Sequence, residues 1–221
     1  MHTPDTIHMS TANIITLSRL PLLLLVVALL YMPWTWALFT AMGLLPLLYL
    51  MDWFDGYVAR HKNEVTDLGS VLDISIDRVV ENVLWLVFAH QGKVPVFIPV
   101  LFIIRSFVVD GLRSYALSRG YSAFGMMQSP WGRFLVAGRF LRALYGLAKG
   151  GAFCALALTS ALAAMGDQAP PELAWVPVAE LILVYLSVAL CVARGIPVLL
   201  DIRRLLVMAP RKPGVDPSDP A

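Results

Sequence analysis

Apolar residues in this chain run together in blocks of about twenty, separated by short stretches of turn-forming and interfacial residues. Six such blocks can be drawn, at 12–31, 36–58, 70–89, 94–116, 134–163 and 175–201, the fifth long enough to tilt or protrude. The breaks between them carry the chemistry of helix ends and membrane interfaces: Tyr31-Met32-Pro33-Trp34, Gln91-Gly92-Lys93, the loop from Ser118 to Trp131, and Gly166 through Pro171. The pattern predicts an all-α, polytopic membrane bundle of six transmembrane helices with antiparallel neighbours.

Composition agrees with the pattern. Hydrophobic residues make up 58% and charged residues 14% of the 221-residue chain, far from the balance of soluble domains. No polar or Gly/Ser-rich linker interrupts the blocks, so residues 1–208 are expected to form one membrane domain. Residues 209–221, rich in proline and poor in apolar side chains, are expected to be a disordered cytoplasmic tail. Cys154 and Cys191 lie inside apolar runs and read as small buried hydrophobes. The first ten residues lack a basic stretch and a cleavage site, so the first apolar block is expected to stay in place.

Charge distribution gives the orientation. With the N-terminus inside, Arg60, Lys62, Arg119, Arg133, Arg203, Arg204, Arg211 and Lys212 collect on one side, and the opposite loops hold only Lys93. The expectation is a multi-pass protein of the inner (cytoplasmic) membrane with both termini in the cytoplasm. The junction of the second and third spans then faces soluble phosphorylated metabolites.

That junction, residues 52–77, carries Asp52, Asp55, Asp73 and Asp77 on two apolar helices. One aspartate in a membrane segment costs roughly 2.5–3.5 kcal/mol on insertion scales, so four require a positive partner. On a helix of about 3.6 residues per turn, Asp52, Asp55, Gly56 and Ala59 share a face, as do Asp73 and Asp77 on the next helix. Ion pairing with Arg60 or Arg78 is the bland account. Four carboxylates with few nearby cations point further, to a bound metal, and oxygen ligands favour hard ions such as Mg²⁺, Mn²⁺ or Ca²⁺ with substrate phosphates completing the shell. Asp77, deepest along its span, is the candidate base. Gly56, Ala59 and Gly69 leave room either for close helix packing or for a ligand to approach the backbone, and Arg60 can snorkel or bind phosphate.

The pattern Asp52-x-x-Asp55-Gly56-x-x-Ala59-Arg60, eight residues, Gly69-x-x-x-Asp73-x-x-x-Asp77 resembles the signature of the CDP-alcohol phosphotransferases at all eight positions. The six-span plan is also similar to that family over nearly the whole chain. The resemblance implies transfer of a phosphatidyl or similar group from a CDP-linked lipid to a small alcohol, with release of CMP. It implies that Asp52, Asp55, Asp73 and Asp77 hold divalent metal, Mg²⁺ or Mn²⁺ and two ions in all, with Asp77 also the base. Gly56, Ala59, Arg60 and Gly69 would line the CDP site. Asn13, Thr16 and Arg19 follow the family's Pro-Asn-x-x-Thr-x-x-Arg pattern, with Ala12 in place of proline, and join them as candidate nucleotide contacts beside the simpler roles of capping and snorkelling. A homodimer in the bilayer is the expected assembly, and no nucleic-acid partner is expected.

The acceptor is less sharply specified. Arg105, Arg113, Arg133, Arg139 and Arg142 crowd the cytoplasmic side of the fourth and fifth spans, and arginine forks suit a phosphorylated alcohol. Arg105 through Arg113 is similar to the phosphatidylglycerophosphate synthase branch, which implies glycerol 3-phosphate as acceptor. That branch usually continues Gly-Lys-x-Lys-Thr, whereas this chain reads Gly132-Arg133-Phe134-Leu135-Val136. Inositol phosphate, serine and phosphatidylglycerol remain alternatives. An alternative from another class is a divalent-cation or proton transporter built on the same intramembrane acids.

Overall fold

The computed structural model describes residues 11–61, 67–118 and 138–208, and every regular element among them is helical. The six long helices are α1 (Thr11–Leu30), α2 (Thr35–His61), α3 (Asp67–His90), α4 (Phe97–Ser118), α5 (Arg139–Met165) and α6 (Val176–Met208). Each falls on one of the six apolar blocks. Short 3₁₀ turns, Gly166–Gln168 and Pro171–Leu173, fill the break between α5 and α6. The expected tail at 209–221, the N-terminal ten residues and the loop from Ser118 to Trp131 beyond its first residue lie outside the described residues.

The helix ends follow from local chemistry. After α3, Gly92 takes φ of 72°, which lets Lys93 N–H reach the Phe88 carbonyl (2.9 Å) and Gly92 N–H the Ala89 carbonyl (3.0 Å), the Schellman arrangement. Gly166, at φ of 56°, stops α5 in the same left-handed region. Pro21, Pro46 and Pro197 sit inside α1, α2 and α6, a placement that membrane helices tolerate because neighbouring groups satisfy the freed backbone.

Among the described residues, four segments are long and apolar enough to cross a membrane: Asn13–Leu30, Thr35–Asp52, Phe140–Gln168 and Pro171–Pro197. α3 and α4 fall outside that set because of their charges, Asp67, Asp73, Asp77, Arg78 and Glu81 on one and Arg105, Asp110 and Arg113 on the other. All six helices nonetheless turn large apolar side chains outward, among them Leu24, Leu50, Ile74, Phe107, Leu147 and Ile182. A surface this apolar belongs in lipid.

The chain divides into two compact units, Met1–Ile103 with Gly146–Val188, and Ile104–Tyr145 with Ala189–Ala221. In the first, α1 packs against α2 and α3. Its core centres on Trp85, whose ring lies 4.6 Å from Phe153 and 4.9 Å from Phe102, with Leu45, Leu48, Leu84, Phe88 and Leu156 fully buried. Tyr49 lies against the bare backbone of Gly150, 3.6 Å from where a Cβ would stand. In the second, Val109, Tyr145, Cys191 and Arg194 are buried.

Candidate functional site

Three of the four signature aspartates converge. Asp52 on α2 and Asp73 and Asp77 on α3 each offer one carboxylate oxygen, and these atoms lie within 4.8 Å of one another. They are drawn together by Arg19 of α1: Nη1 donates to Asp52 Oδ1 at 2.7 Å, Nη2 donates to Asp77 Oδ1 at 2.7 Å, and Nη1 stands 3.8 Å from Asp73 Oδ1. The guanidinium is 1% exposed, whereas the three acid side chains are 36%, 48% and 45% exposed. A buried cation thus faces acids that remain open on their other side.

Arg60 and Arg78 were the cations expected beside the acids; the side chain of Arg60 lies outside the described residues, and the cation that the structure places there is Arg19. Only the fold brings α1 beside α2 and α3, across separations of 33 and 58 residues. Arg78 is engaged elsewhere, with Nη1 donating to Glu81 Oε2 at 3.0 Å, and Lys149 Nζ of α5 reaches the same oxygen at 2.9 Å. Lys149 was expected among the cations facing an anionic acceptor; Glu81 and its pairing with Lys149 were not expected. The available signal was the spacing, since Asp73, Asp77 and Glu81 recur every four residues along one stripe of α3.

Asn13 and Thr16 are 5% and 4% exposed and share the buried stripe of α1 with Arg19. Gly69 is half-buried in the first turn of α3. The side chains of Asp55, Ala59 and Arg60 and the surroundings of Gly56, in the last turns of α2, lie outside what the structure describes. The same holds for the side chains of Arg113 and Arg139 and for Arg133 altogether, while Arg142 is exposed on α5.

A second cationic group forms in the other unit. The guanidinium carbons of Arg105 (α4) and Arg194 (α6) stand 5.7 and 5.5 Å from the ring centroid of Tyr145 (α5). Gly195 leaves its backbone open beside Arg105 Cγ, at 3.5 Å from a notional Cβ. Nε and Nη1 of Arg105 are buried and make no hydrogen bond among the described residues. A buried guanidinium with unused N–H donors, beside a second one across the same ring, is suited to an anion. Arg105 was expected here. Arg194 was not, although an arginine within the last apolar run is itself a functional signal in a membrane helix.

The sequence model of the CDP-alcohol phosphatidyltransferase family matches residues 9–208, nearly the whole chain, and the protein belongs to that family. It is a transferase by that membership, which disposes of the transporter alternative. Among its relatives, a Pseudomonas fluorescens protein named CDP-diacylglycerol–glycerol-3-phosphate 3-phosphatidyltransferase is 30% identical over 147 residues, 66% of this chain and 75% of the relative. The Escherichia coli K12 protein of the same name is 32% identical over 110 residues, 49% of this chain and 60% of the relative.

Proposed function

We propose that the protein transfers the phosphatidyl group of CDP-diacylglycerol to glycerol 3-phosphate, giving phosphatidylglycerophosphate and CMP at the cytoplasmic face of the membrane. The observation that carries the chemistry is the convergence of Asp52, Asp73 and Asp77. Their all-oxygen donor set, partly open and held from two helices, fits Mg²⁺ or Mn²⁺. Asp55, from the same signature, completes the proposed ligand set. Metal bound by these residues would neutralise the diphosphate and the leaving CMP.

The chain's own residues do the rest. Asp77 accepts the proton of the acceptor hydroxyl as its oxygen forms a bond to the β-phosphorus. The bond from that phosphorus to the bridging oxygen breaks, and CMP leaves with the electron pair. Asn13, Thr16, Gly56, Ala59, Arg60 and Gly69 contact the nucleotide. Arg105, with Arg113, Arg133, Arg139 and Arg142, binds the acceptor phosphate, and the pairing of Arg194 with Arg105 at Tyr145 adds a further cation to that set. The relatives' names favour glycerol 3-phosphate over inositol phosphate, serine or phosphatidylglycerol.

All six helices span the inner membrane in this reading. Both termini face the cytoplasm, and the protein works as a homodimer. The test is CMP release by purified protein given CDP-diacylglycerol, Mg²⁺ or Mn²⁺, and each acceptor in turn. Release with glycerol 3-phosphate alone is expected. No release with any acceptor overturns the reading.

A further inference from the structure

The buried guanidinium of Arg19 lies where the acidic cluster must hold positive charge. It bridges Asp52 and Asp77 at 2.7 Å each and lies 3.8 Å from Asp73. Burying an arginine to 1% exposure is costly unless its charge is matched, and here it is matched by carboxylates from two other helices. Those carboxylates would otherwise repel one another across less than 4.8 Å. Arg19 therefore offsets the repulsion among the three acids.

The same contact sets a conflict. Oδ1 of Asp52 and Oδ1 of Asp77 are spent on the guanidinium, and a divalent cation drawn to these acids meets a fixed positive charge among them. We propose that Arg19 is an internal counterion that competes with metal for the aspartates: it holds the cluster assembled in the metal-free protein and gives up at least one carboxylate when metal loads. This rests on the proposed function only for the identity of the metal. The role differs from plain nucleotide contact, which predicts no change in metal binding when Arg19 is altered. It also differs from a role in orienting the ligands, which predicts weaker metal binding without Arg19.

The test uses the full-length protein purified in detergent, with Mn²⁺ alone as the probe. Binding is read by electron paramagnetic resonance of free Mn²⁺, and stability by thermal unfolding in chelator and in saturating Mn²⁺. Removing one positive charge from within a few ångströms of a divalent site should tighten Mn²⁺ binding by Arg19→Gln about tenfold or more. The variant's metal-free melting temperature should fall, and its rise on adding Mn²⁺ should exceed that of wild type. Arg19→Lys keeps the charge but loses the two-pronged bridge, so it should fall between the two and guards against a glutamine variant that fails to fold. Mn²⁺ affinity equal to or weaker than wild type in both variants overturns the proposal. A wild type that binds Mn²⁺ but releases no CMP with any acceptor overturns the proposed function and leaves the competition standing.

Discussion

Two clusters of charge lie one turn apart on the same stripe of α3, and they are built in opposite senses. In the first, Asp73 and Asp77 are joined by Asp52, so that three acids meet one described cation, Arg19, and the acid side chains are 36–48% exposed. In the second, Glu81 is 4% exposed and receives both Arg78 and Lys149, two cations on one acid. Next along the stripe, Trp85 is fully buried among aromatic rings. Among the described residues the stripe thus passes from open and rich in acids, to closed and amply compensated, to apolar. A cluster with surplus negative charge and a free side can take up cations and substrate, whereas a sealed, compensated one can only hold helices together. The residue types are nearly the same in both. The count of charges and the exposure separate a site from a strut.

The largest effect should follow from the open cluster. Asp77→Asn keeps the shape and the hydrogen bond from Arg19 while removing the base, and it should cut CMP release by about 10²- to 10⁴-fold. Melting temperature should change little. A variant active within threefold of wild type would remove Asp77 from the proton transfer. The closed cluster should answer the other way. Lys149→Met leaves Glu81 buried without its lysine, and losing one member of a buried pair destabilises by about 3–5 kcal/mol. Glu81→Leu combined with Lys149→Met removes both buried partners and should recover part of that stability, as thermal or denaturant unfolding of the two variants would reveal. If Lys149→Met lowered activity with stability unchanged, the strut reading would fail and Lys149 would join the site.

How far these clusters could be read from the sequence depends on how local their contacts are. The six blocks and their breaks were legible as six helices because long apolar runs mark them, and their ends because Gly92, Gly166 and the prolines punctuate the breaks. Asp73 and Asp77 were legible as a pair because four residues make about one helical turn. Arg19 was visible as a charge out of place in an apolar run, but its partners lie 33 and 58 residues away, and nothing in the spacing selects it over Arg60 or Arg78. Glu81 continues the four-residue repeat of Asp73 and Asp77 and was legible on that stripe, but its pairing with Lys149 joins α3 to α5 and was hidden for the same reason as Arg19. Arg194 lies 89 residues from Arg105 in the numbering and meets it only over the ring of Tyr145. Chemistry was readable wherever it repeats along one helix, and unreadable wherever the third dimension chooses the partner.

A smaller effect is expected at the arginine pair. Arg194→Gln removes a charged donor from the proposed acceptor site while leaving the aspartates intact. A hydrogen bond to a charged group contributes about 1.5–3 kcal/mol, so KM for glycerol 3-phosphate should rise by roughly ten- to a hundredfold. KM for CDP-diacylglycerol should stay near the wild-type value, as steady-state CMP release at varied concentrations of each substrate would show. Equal increases in both would take Arg194 out of acceptor recognition.

The smallest effect probes how tightly α5 is packed beside the closed cluster. Gly150 and Gly151 follow Lys149 directly, and each faces a different neighbour. A Cβ on Gly150 would stand 3.6 Å from the Tyr49 ring, an ordinary contact, while on Gly151 it would stand 3.3 Å from Leu183 Cδ1, which must yield slightly. Alanine in a helix interior is favoured over glycine by up to about 1 kcal/mol. Gly150→Ala should therefore be neutral to stabilising by less than about 1 kcal/mol, and Gly151→Ala, where the leucine tip must shift, should gain less or nothing. Thermal unfolding of the two single variants orders them. A Gly150→Ala that destabilises as much as Lys149→Met would mean that the ring of Tyr49 cannot give at all, and that backbone approach as well as the Glu81–Lys149 pair fixes α5 beside its neighbours.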